Sequence, residues 1–157
     1  MASGLTPGML SINGDYQQQA GGALAIEIDG TRFDTGQGIF DYSRLAVSGD
    51  SSIAGGLAVS LGFMPQYADR FTILASTDGL EGDFANALPL DGSNIGDLTA
   101  DGYSFNVVYN WSAGGYGSVV LTDFVPVLTP EPSSLFLLGS GVLCLSAFLR
   151  KRLHKTA

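Results

Sequence analysis

The chain has 157 residues, of which 45% are apolar and 22 are glycine, and its formal net charge is −8. All 15 acidic residues lie in residues 1–132 with only three arginines, so this part carries a net charge of −12. An acidic surface repels nucleic acid, which excludes a nucleic-acid-binding protein. The apolar content is too high for a disordered chain, which excludes an intrinsically disordered protein.

Residues 1–132 contain no Cys, His or Lys. The usual nucleophilic triads, zinc sites and disulfides cannot be built there, and only carboxylates are left for acid–base chemistry. Glycoside hydrolysis needs two facing carboxylates, and Glu27 has no partner at a suitable spacing. We interpret Glu27 as an outward-facing strand residue and expect that the chain is not an enzyme.

Four segments in the first 61 residues alternate apolar residues with small or polar ones, which is the period of a half-buried strand. They are residues 8–12, 22–28, 44–47 and 56–61, followed by turn residues at 13–15, 29–30, 48–50 and 62. Short strands stacked in this way fit a β-solenoid, in which each coil buries its face against its neighbours. A β-sandwich produces the same alternation and is the alternative. The positions predicted to point inward are Leu10, Ile12, Leu24, Ile26, Ile28, Leu45, Val47, Leu57, Val59 and Leu61.

Several of these segments resemble the last coils of autotransporter passenger domains. The similar stretches are PGMLSINGDY (7–16), GALAIEI (22–28) and FDYSRLAVSG (40–49), with others at 55–59 and 69–74. Passenger domains are right-handed parallel β-helices. The resemblance therefore implies an all-β fold in which residues 1–124 form the C-terminal coils and cap of such a helix.

Residues 78–101 are rich in Gly and Asp and are predicted to be mainly loop. Calcium binds oxygen ligands grouped in tight loops, so the carboxylates here are candidate ligands. These candidates are Asp78, Glu81, Asp83, Asp91 and Asp97. The spacing is not that of an EF-hand, because Leu80 and Ile95 stand where oxygen ligands are required. We expect no cofactor and keep calcium as the alternative.

Two strands, at residues 103–111 and 117–122, are predicted to form a hairpin that closes the end of the solenoid. Tyr109, Trp111 and Tyr116 lie in or beside this hairpin. Exposed rings would stack on sugars, whereas buried rings would fill the open end of the core. We expect these three side chains to be buried.

The C-terminal segment has three parts in order: Pro130-Glu131-Pro132, an uncharged run at 133–149 and a basic end. As a helix the run measures roughly 25 Å, at the short end of what spans a bilayer. Positive charges after it should keep the C-terminus cytoplasmic, and the prolines should hold the preceding motif extended outside the membrane. The stop charges are Arg150, Lys151, Arg152 and Lys155. The predicted parts are a body at 1–124, a linker at 125–132, a transmembrane helix at 133–149 and a basic tail at 150–157.

This order of parts resembles the PEP-CTERM sorting signal of Gram-negative bacteria that make exopolysaccharide. The resemblance implies an exported protein that residues 133–149 anchor transiently in the inner membrane. An exosortase, a transpeptidase-like membrane enzyme, would then process it for the cell surface or the extracellular space. The implied partners are the exosortase, the membrane and exopolysaccharide, and nucleic acid is not among them. An ordinary C-terminal membrane anchor is the alternative.

Residues 1–8 show neither the basic segment nor the apolar run of a signal peptide. Since a sorting signal requires export, we expect the chain to be the C-terminal piece of a longer protein, or the product of a start site placed too late. The predicted function is that of a structural or adhesin-like protein of the cell surface or matrix. The alternative is a fragment of a carbohydrate-active β-helix enzyme whose site lies upstream.

Overall fold

The structure, a computed structural model, describes residues 7–90 and 92–128. Within those ranges the chain forms strands and no helix, so the expected all-β class is confirmed. The compact unit that these strands form ends at Val127. The strands are β1 (Met9–Ile12), β2 (Tyr16–Gln17), β3 (Ala23–Asp34), β4 (Ile39–Tyr42), β5 (Arg44–Val47), β6 (Asp50–Ile53), β7 (Gly56–Leu61), β8 (Phe71–Ser76), β9 (Gly79–Gly82), β10 (Ile95–Ala100), β11 (Tyr103–Asn110), β12 (Ser112–Ala113) and β13 (Gly117–Pro126).

The strands form three sheets. Sheet A has the order β1-β5-β8-β13-β11-β10, sheet B the order β12-β9-β6-β2, and sheet C the order β4-β3-β7. Parallel pairs join β1, β5 and β8 in sheet A, β2, β6 and β9 in sheet B, and β3 and β7 in sheet C. The chain therefore visits sheets A, B and C in the same order on successive passes, which explains why alternating segments recur along the sequence.

Antiparallel strands complete sheets A and B. The predicted hairpin is present: β11 pairs with β13, and β13 pairs in turn with β8. The connection between β11 and β13 contains the short strand β12, which pairs with β9. One hairpin and its connection thus cover the edges of β8 and β9 in two different sheets, which removes two unpaired strand edges.

The core contains a cluster of aromatic rings centred on Phe71, which is fully buried. The Phe71 ring lies edge to face with Tyr42, Phe63 and Phe124, at centroid distances of 5.2, 6.0 and 5.4 Å. This geometry is a favourable one for aromatic pairs. Since Tyr42 belongs to sheet C and Phe124 to sheet A, the cluster ties the two sheets together.

Nine of the ten positions predicted to point inward are buried or packed against the core. Leu10 is the exception, and its predicted burial is wrong. Its side chain is 64% exposed because β1 is the edge strand of sheet A and has a neighbour on one side only.

The predicted turn at 29–30 is also wrong, since β3 runs through it. The first half of β3 pairs with β7 and the second half with β4, and the register to β4 is irregular between Ile28 and Phe33. This irregularity accommodates the Asp-Gly pair inside a strand.

The mainly-loop prediction for residues 78–101 fails at β9 and β10. Both strands are rich in glycine or acidic residues, which are typical of turns. The strand β9 is extended because it pairs with the distant strand β6. The strand β10 pairs with the next strand, β11, through a two-residue turn at Asp101 and Gly102, both of which have positive φ.

No helix in the described ranges is long and apolar enough to span a membrane. The helix predicted at 133–149 and the basic tail predicted at 150–157 lie outside the described residues.

Candidate functional site

The outer face of sheet B carries an open groove of about 640 Å³. Its orientation follows from alternation along β9, where Leu80 is buried and Glu81 is exposed. Gln17 lies opposite Ser52, and Ser52 lies opposite Glu81, so these three side chains share the outer face. We call this surface the sheet B groove. The polar side chains lining it include Asp15, Gln17, Asp50, Ser52 and Glu81.

The acidic end of the groove is held by stacked turns. The turn before β2 and the turn before β6 lie side by side, and the backbone N–H of Asp50 donates to Asp15 Oδ1 at 3.0 Å. Ser48 Oγ donates to Asn13 Oδ1 at 3.1 Å and accepts from the Gly14 N–H at 2.9 Å. These bonds fix two carboxylate-bearing turns next to each other, because each turn satisfies polar groups of the other.

Trp111 forms the other end of the groove. Its side chain is 45% exposed, so its predicted burial is wrong. The predicted burial is also wrong for Tyr116, which is 61% exposed. It is confirmed for Tyr109, which is fully buried. Ser112 pairs with Leu80 in antiparallel register, which puts Trp111 opposite Glu81. Leu80 points inward, so its partner Ser112 points inward as well. Side chains alternate along a strand, so Trp111, the residue before Ser112, points to the outer face.

The Trp111 ring is fixed from two sides. Its Nε1–H donates to the carbonyl oxygen of Gly82 at 2.8 Å. The indole also stacks on the Tyr109 ring at a centroid distance of 5.8 Å and an angle of 11°. A ring held in this way presents a flat apolar face to solvent without losing much conformational entropy when a ligand binds.

Replacing Gly82 with alanine should destabilise the protein and displace the Trp111 ring. Gly82 has φ +79°, and a methyl group there would collide with the backbone carbonyl of Ile53. We expect a loss of about 2–4 kcal/mol in the free energy of unfolding, from backbone strain plus steric overlap. Denaturant unfolding measures the loss, and the emission maximum of the single tryptophan reports the displacement.

Gly38→Ala is the matched control. Gly38 has φ +67°, but a methyl group there would meet no atom of the described residues within 4 Å. Only the left-handed backbone penalty of about 1–2 kcal/mol should appear. Equal losses in the two variants would show that the Ile53 carbonyl does not restrict the site.

The four calcium candidates in residues 7–90 and 92–128 do not form a metal-binding group. Asp78 is exposed in the bend before β9, Glu81 lies on the outer face of β9, Asp83 follows β9, and Asp97 is exposed on β10. Within residues 7–90 and 92–128, no three His, Cys, Asp or Glu side chains are grouped closely enough to hold a metal ion. The fifth candidate, Asp91, lies outside the described residues.

The sorting residues also lie outside the described ranges. These are Pro130, Glu131 and Pro132 of the motif, and Arg150, Lys151, Arg152 and Lys155 of the basic end. Their assignment therefore depends on the sequence and on the family comparison below.

The sequence reasoning missed the groove itself. The sequence predicts Asp15 and Asp50 only as turn residues. Each follows a glycine at the same point of a similar segment, Asn13-Gly14-Asp15 and Ser48-Gly49-Asp50. That recurrence is the signal from which their alignment in parallel strands could have been predicted. The position of Trp111 beside Glu81 had no comparable signal, because it depends on the pairing of β12 with β9.

Comparison with known proteins identifies a protein family in the C-terminal segment. A protein family described as the PEP-CTERM protein-sorting motif matches residues 128–152. Neither the search of curated proteins nor the search of solved structures gave a match. The match contains the Pro130-Glu131-Pro132 strip, the uncharged run and the first basic residues. PEP-CTERM signals are recognised by an exosortase, a membrane enzyme, so the match supports an exported protein that is sorted by an exosortase.

Proposed function

We propose that the chain is a non-catalytic protein of the cell surface or extracellular matrix, delivered there by processing of its C-terminal segment. The observation that carries the delivery step is the PEP-CTERM match at residues 128–152. The uncharged run and the charges after it would hold the protein in the inner membrane while the exosortase acts on the Pro130-Glu131-Pro132 strip. The β-rich body up to Val127 would then remain outside the cell.

We further propose that the body is a scaffold built as a short right-handed β-helix. The three parallel ladders in sheets A, B and C support this arrangement over a β-sandwich, whose strands pair mainly antiparallel. A scaffold of this kind exposes one face of each sheet along its length. That property suits a spacer or adhesin-like protein better than an enzyme, since residues 1–132 contain no His, Cys or Lys for catalysis.

The delivery step is tested by replacing Pro130, Glu131 and Pro132 with alanine in the full chain, expressed behind a secretory signal peptide. The protein would be expressed in its native host and in the same strain without the exosortase. We expect the unaltered protein to lose its C-terminal segment and to appear outside the inner membrane, as measured by intact mass and cell fractionation. The triple variant should keep the segment and stay in the membrane fraction.

A charge-preserving control separates recognition from membrane insertion. Replacing Arg150, Lys151 and Arg152 with Lys, Arg and Lys keeps every charge of the stop sequence and should leave processing unchanged. Equal processing of the unaltered protein and the triple alanine variant would contradict the proposal. Recovery of the unaltered protein from the membrane with its full mass would favour an ordinary C-terminal anchor instead.

A further inference from the structure

We propose that the sheet B groove binds a glycan that carries free amino groups, such as a chain of β-linked glucosamine. This inference rests on the proposed function for its biological setting, and it adds a ligand class to the matrix role. Three properties of the groove support it: its length, its aromatic end and its charge.

The groove crosses the strands of sheet B. Neighbouring strands lie about 4.8 Å apart, so a row across its four strands spans about 14 Å. Along this row stand Gln17, Ser52, Glu81 and Trp111, one from each of β2, β6 and β9 and one directly before β12. This row presents an amide, a hydroxyl, a carboxylate and an indole. These groups match an oligosaccharide, which has repeated hydroxyl groups and apolar ring faces.

Trp111 supplies the stacking surface. The indole is fixed by the Gly82 carbonyl and by Tyr109, as described above, so it needs no rearrangement to receive a sugar ring. The apolar face of a pyranose packs on such a ring, and an ammonium group near the ring face adds cation–π attraction. Solvent reaches this position, because the side chain is almost half exposed.

The charge of the groove selects among glycans. Asp15, Asp50 and Glu81 line it, and none of the lining residues in the described part of the chain is basic. Anionic polymers such as uronic-acid chains would be repelled, whereas ammonium groups would be attracted.

None of the three arginines of the body lies among the residues that line the groove. Arg32 Nε lies 2.9 Å from Asp41 Oδ2, and hydrogen bonding from Arg32 holds the pKa of the Asp41 carboxyl below its ordinary value. The Arg44 guanidinium lies 5.2 Å from the centre of the Phe33 ring. The pKa of Asp123 is lowered by hydrogen bonds from Thr122 and Asn106 and by the positive charge of Arg70. The groove carboxylates are thus left to interact with a ligand.

The test uses the full chain in a mild detergent and titrates it with four probes: a glucosamine hexamer, its N-acetylated form, a uronic-acid hexamer and spermine. Trp111 is the single tryptophan, so its fluorescence reports directly on the groove. We expect a saturable change with the glucosamine hexamer, weaker binding of the N-acetylated form, and no binding of the uronic-acid hexamer. Spermine carries the charge without a sugar ring and should bind at least about tenfold more weakly.

Variants separate stacking from charge, with binding followed by calorimetry. Trp111→Ala should weaken the glucosamine hexamer at least about tenfold, and Trp111→Tyr should restore most of the affinity. Glu81→Gln should weaken it about three- to tenfold and reduce its sensitivity to salt. Asp97→Asn removes an equal charge from β10 and Tyr67→Ala removes an exposed ring outside the groove, so neither should change the affinity.

Three results would overturn the proposal. They are the absence of any saturable response to the glucosamine hexamer, equal binding of the glucosamine and uronic-acid hexamers, and equal affinities of Glu81→Gln and Asp97→Asn. Each of these failures concerns the groove alone. Processing of the C-terminal segment is measured on other residues by mass, so failure of the sorting proposal would be seen separately.

Discussion

Replacing Phe71 with alanine should lower the free energy of unfolding by about 3–5 kcal/mol, the range for a large aromatic side chain removed from a packed core. Phe71 is fully buried and its ring contacts Tyr42, Phe63 and Phe124. The substitution would leave a cavity where sheets A and C meet, and strands on both sides would lose their shared contacts. Denaturant unfolding followed by circular dichroism measures the loss.

Two further variants define the cause. Phe71→Leu keeps most of the apolar volume and should lose clearly less stability than Phe71→Ala. Phe63→Ala removes a half-buried ring from the rim of the cluster and should also cost less than Phe71→Ala. If Phe63→Ala and Phe71→Ala were equally destabilising, Phe71 would not be the centre of the packing between the two sheets.

Replacing Tyr109 with phenylalanine should lower the free energy of unfolding by about 1–3 kcal/mol, although the ring itself is kept. The Tyr109 hydroxyl accepts a hydrogen bond from the Phe84 N–H at 3.1 Å and donates one to the Ala87 carbonyl at 2.8 Å. Phe84 and Ala87 are buried, so the variant would leave one donor and one acceptor without water or a partner. Tyr116→Phe alters an exposed ring and should leave stability unchanged.

The same hydroxyl makes stability depend on alkaline pH. Burial raises the pKa of Tyr109 from its ordinary 10.0 to about 12. The folded protein therefore holds this proton at a pH where the unfolded chain has released it, so the stabilisation is complete below pH 10 and is lost as the pH rises towards 12. One pKa unit corresponds to about 1.4 kcal/mol, so the loss from this group should be roughly 2–3 kcal/mol.

Comparison of Tyr109→Phe with the unaltered protein isolates this contribution. Burial also raises the pKa of Tyr16 and Tyr42, and these groups contribute equally to the pH dependence of both proteins. The difference in the free energy of unfolding between the two proteins should therefore shrink between pH 10 and pH 12. A constant difference across that interval would show that Tyr109 does not titrate with a raised pKa.

The all-β class, most of the core positions and the sorting segment could be predicted from the sequence. Alternation of apolar residues is a local property of a strand, so Ile26, Ile28, Leu45, Val47 and Leu57 were recognised as inward-facing without knowledge of their partners. The PEP-CTERM segment was recognised for a similar reason. Its motif, apolar run and charges are consecutive in the chain, and the family comparison matches the same region.

The strand β9 and the candidate groove could not be predicted in this way, whereas β10 is joined to β11 by Asp101-Gly102, a local hairpin signal. The sequence predicts Glu81 only as a calcium candidate. Its neighbours on the outer face are Ser52 and Trp111, which lie roughly thirty residues before and after it in the chain. Likewise, Trp111 and Tyr109 stand two residues apart and were predicted to be buried together. Yet Tyr109 faces the core, whereas Trp111, just beyond the end of β11, faces solvent.

An acidic β-protein with a C-terminal sorting segment could be inferred from the order of the amino acids alone, because charge, apolar alternation and a contiguous motif require no knowledge of distant contacts. Which side chains share a surface depends instead on how the strands pair in the folded protein. Strand pairing sets register between segments far apart in the chain, and a shift of one residue would turn Glu81 and Ser52 from the outer face to the inner one.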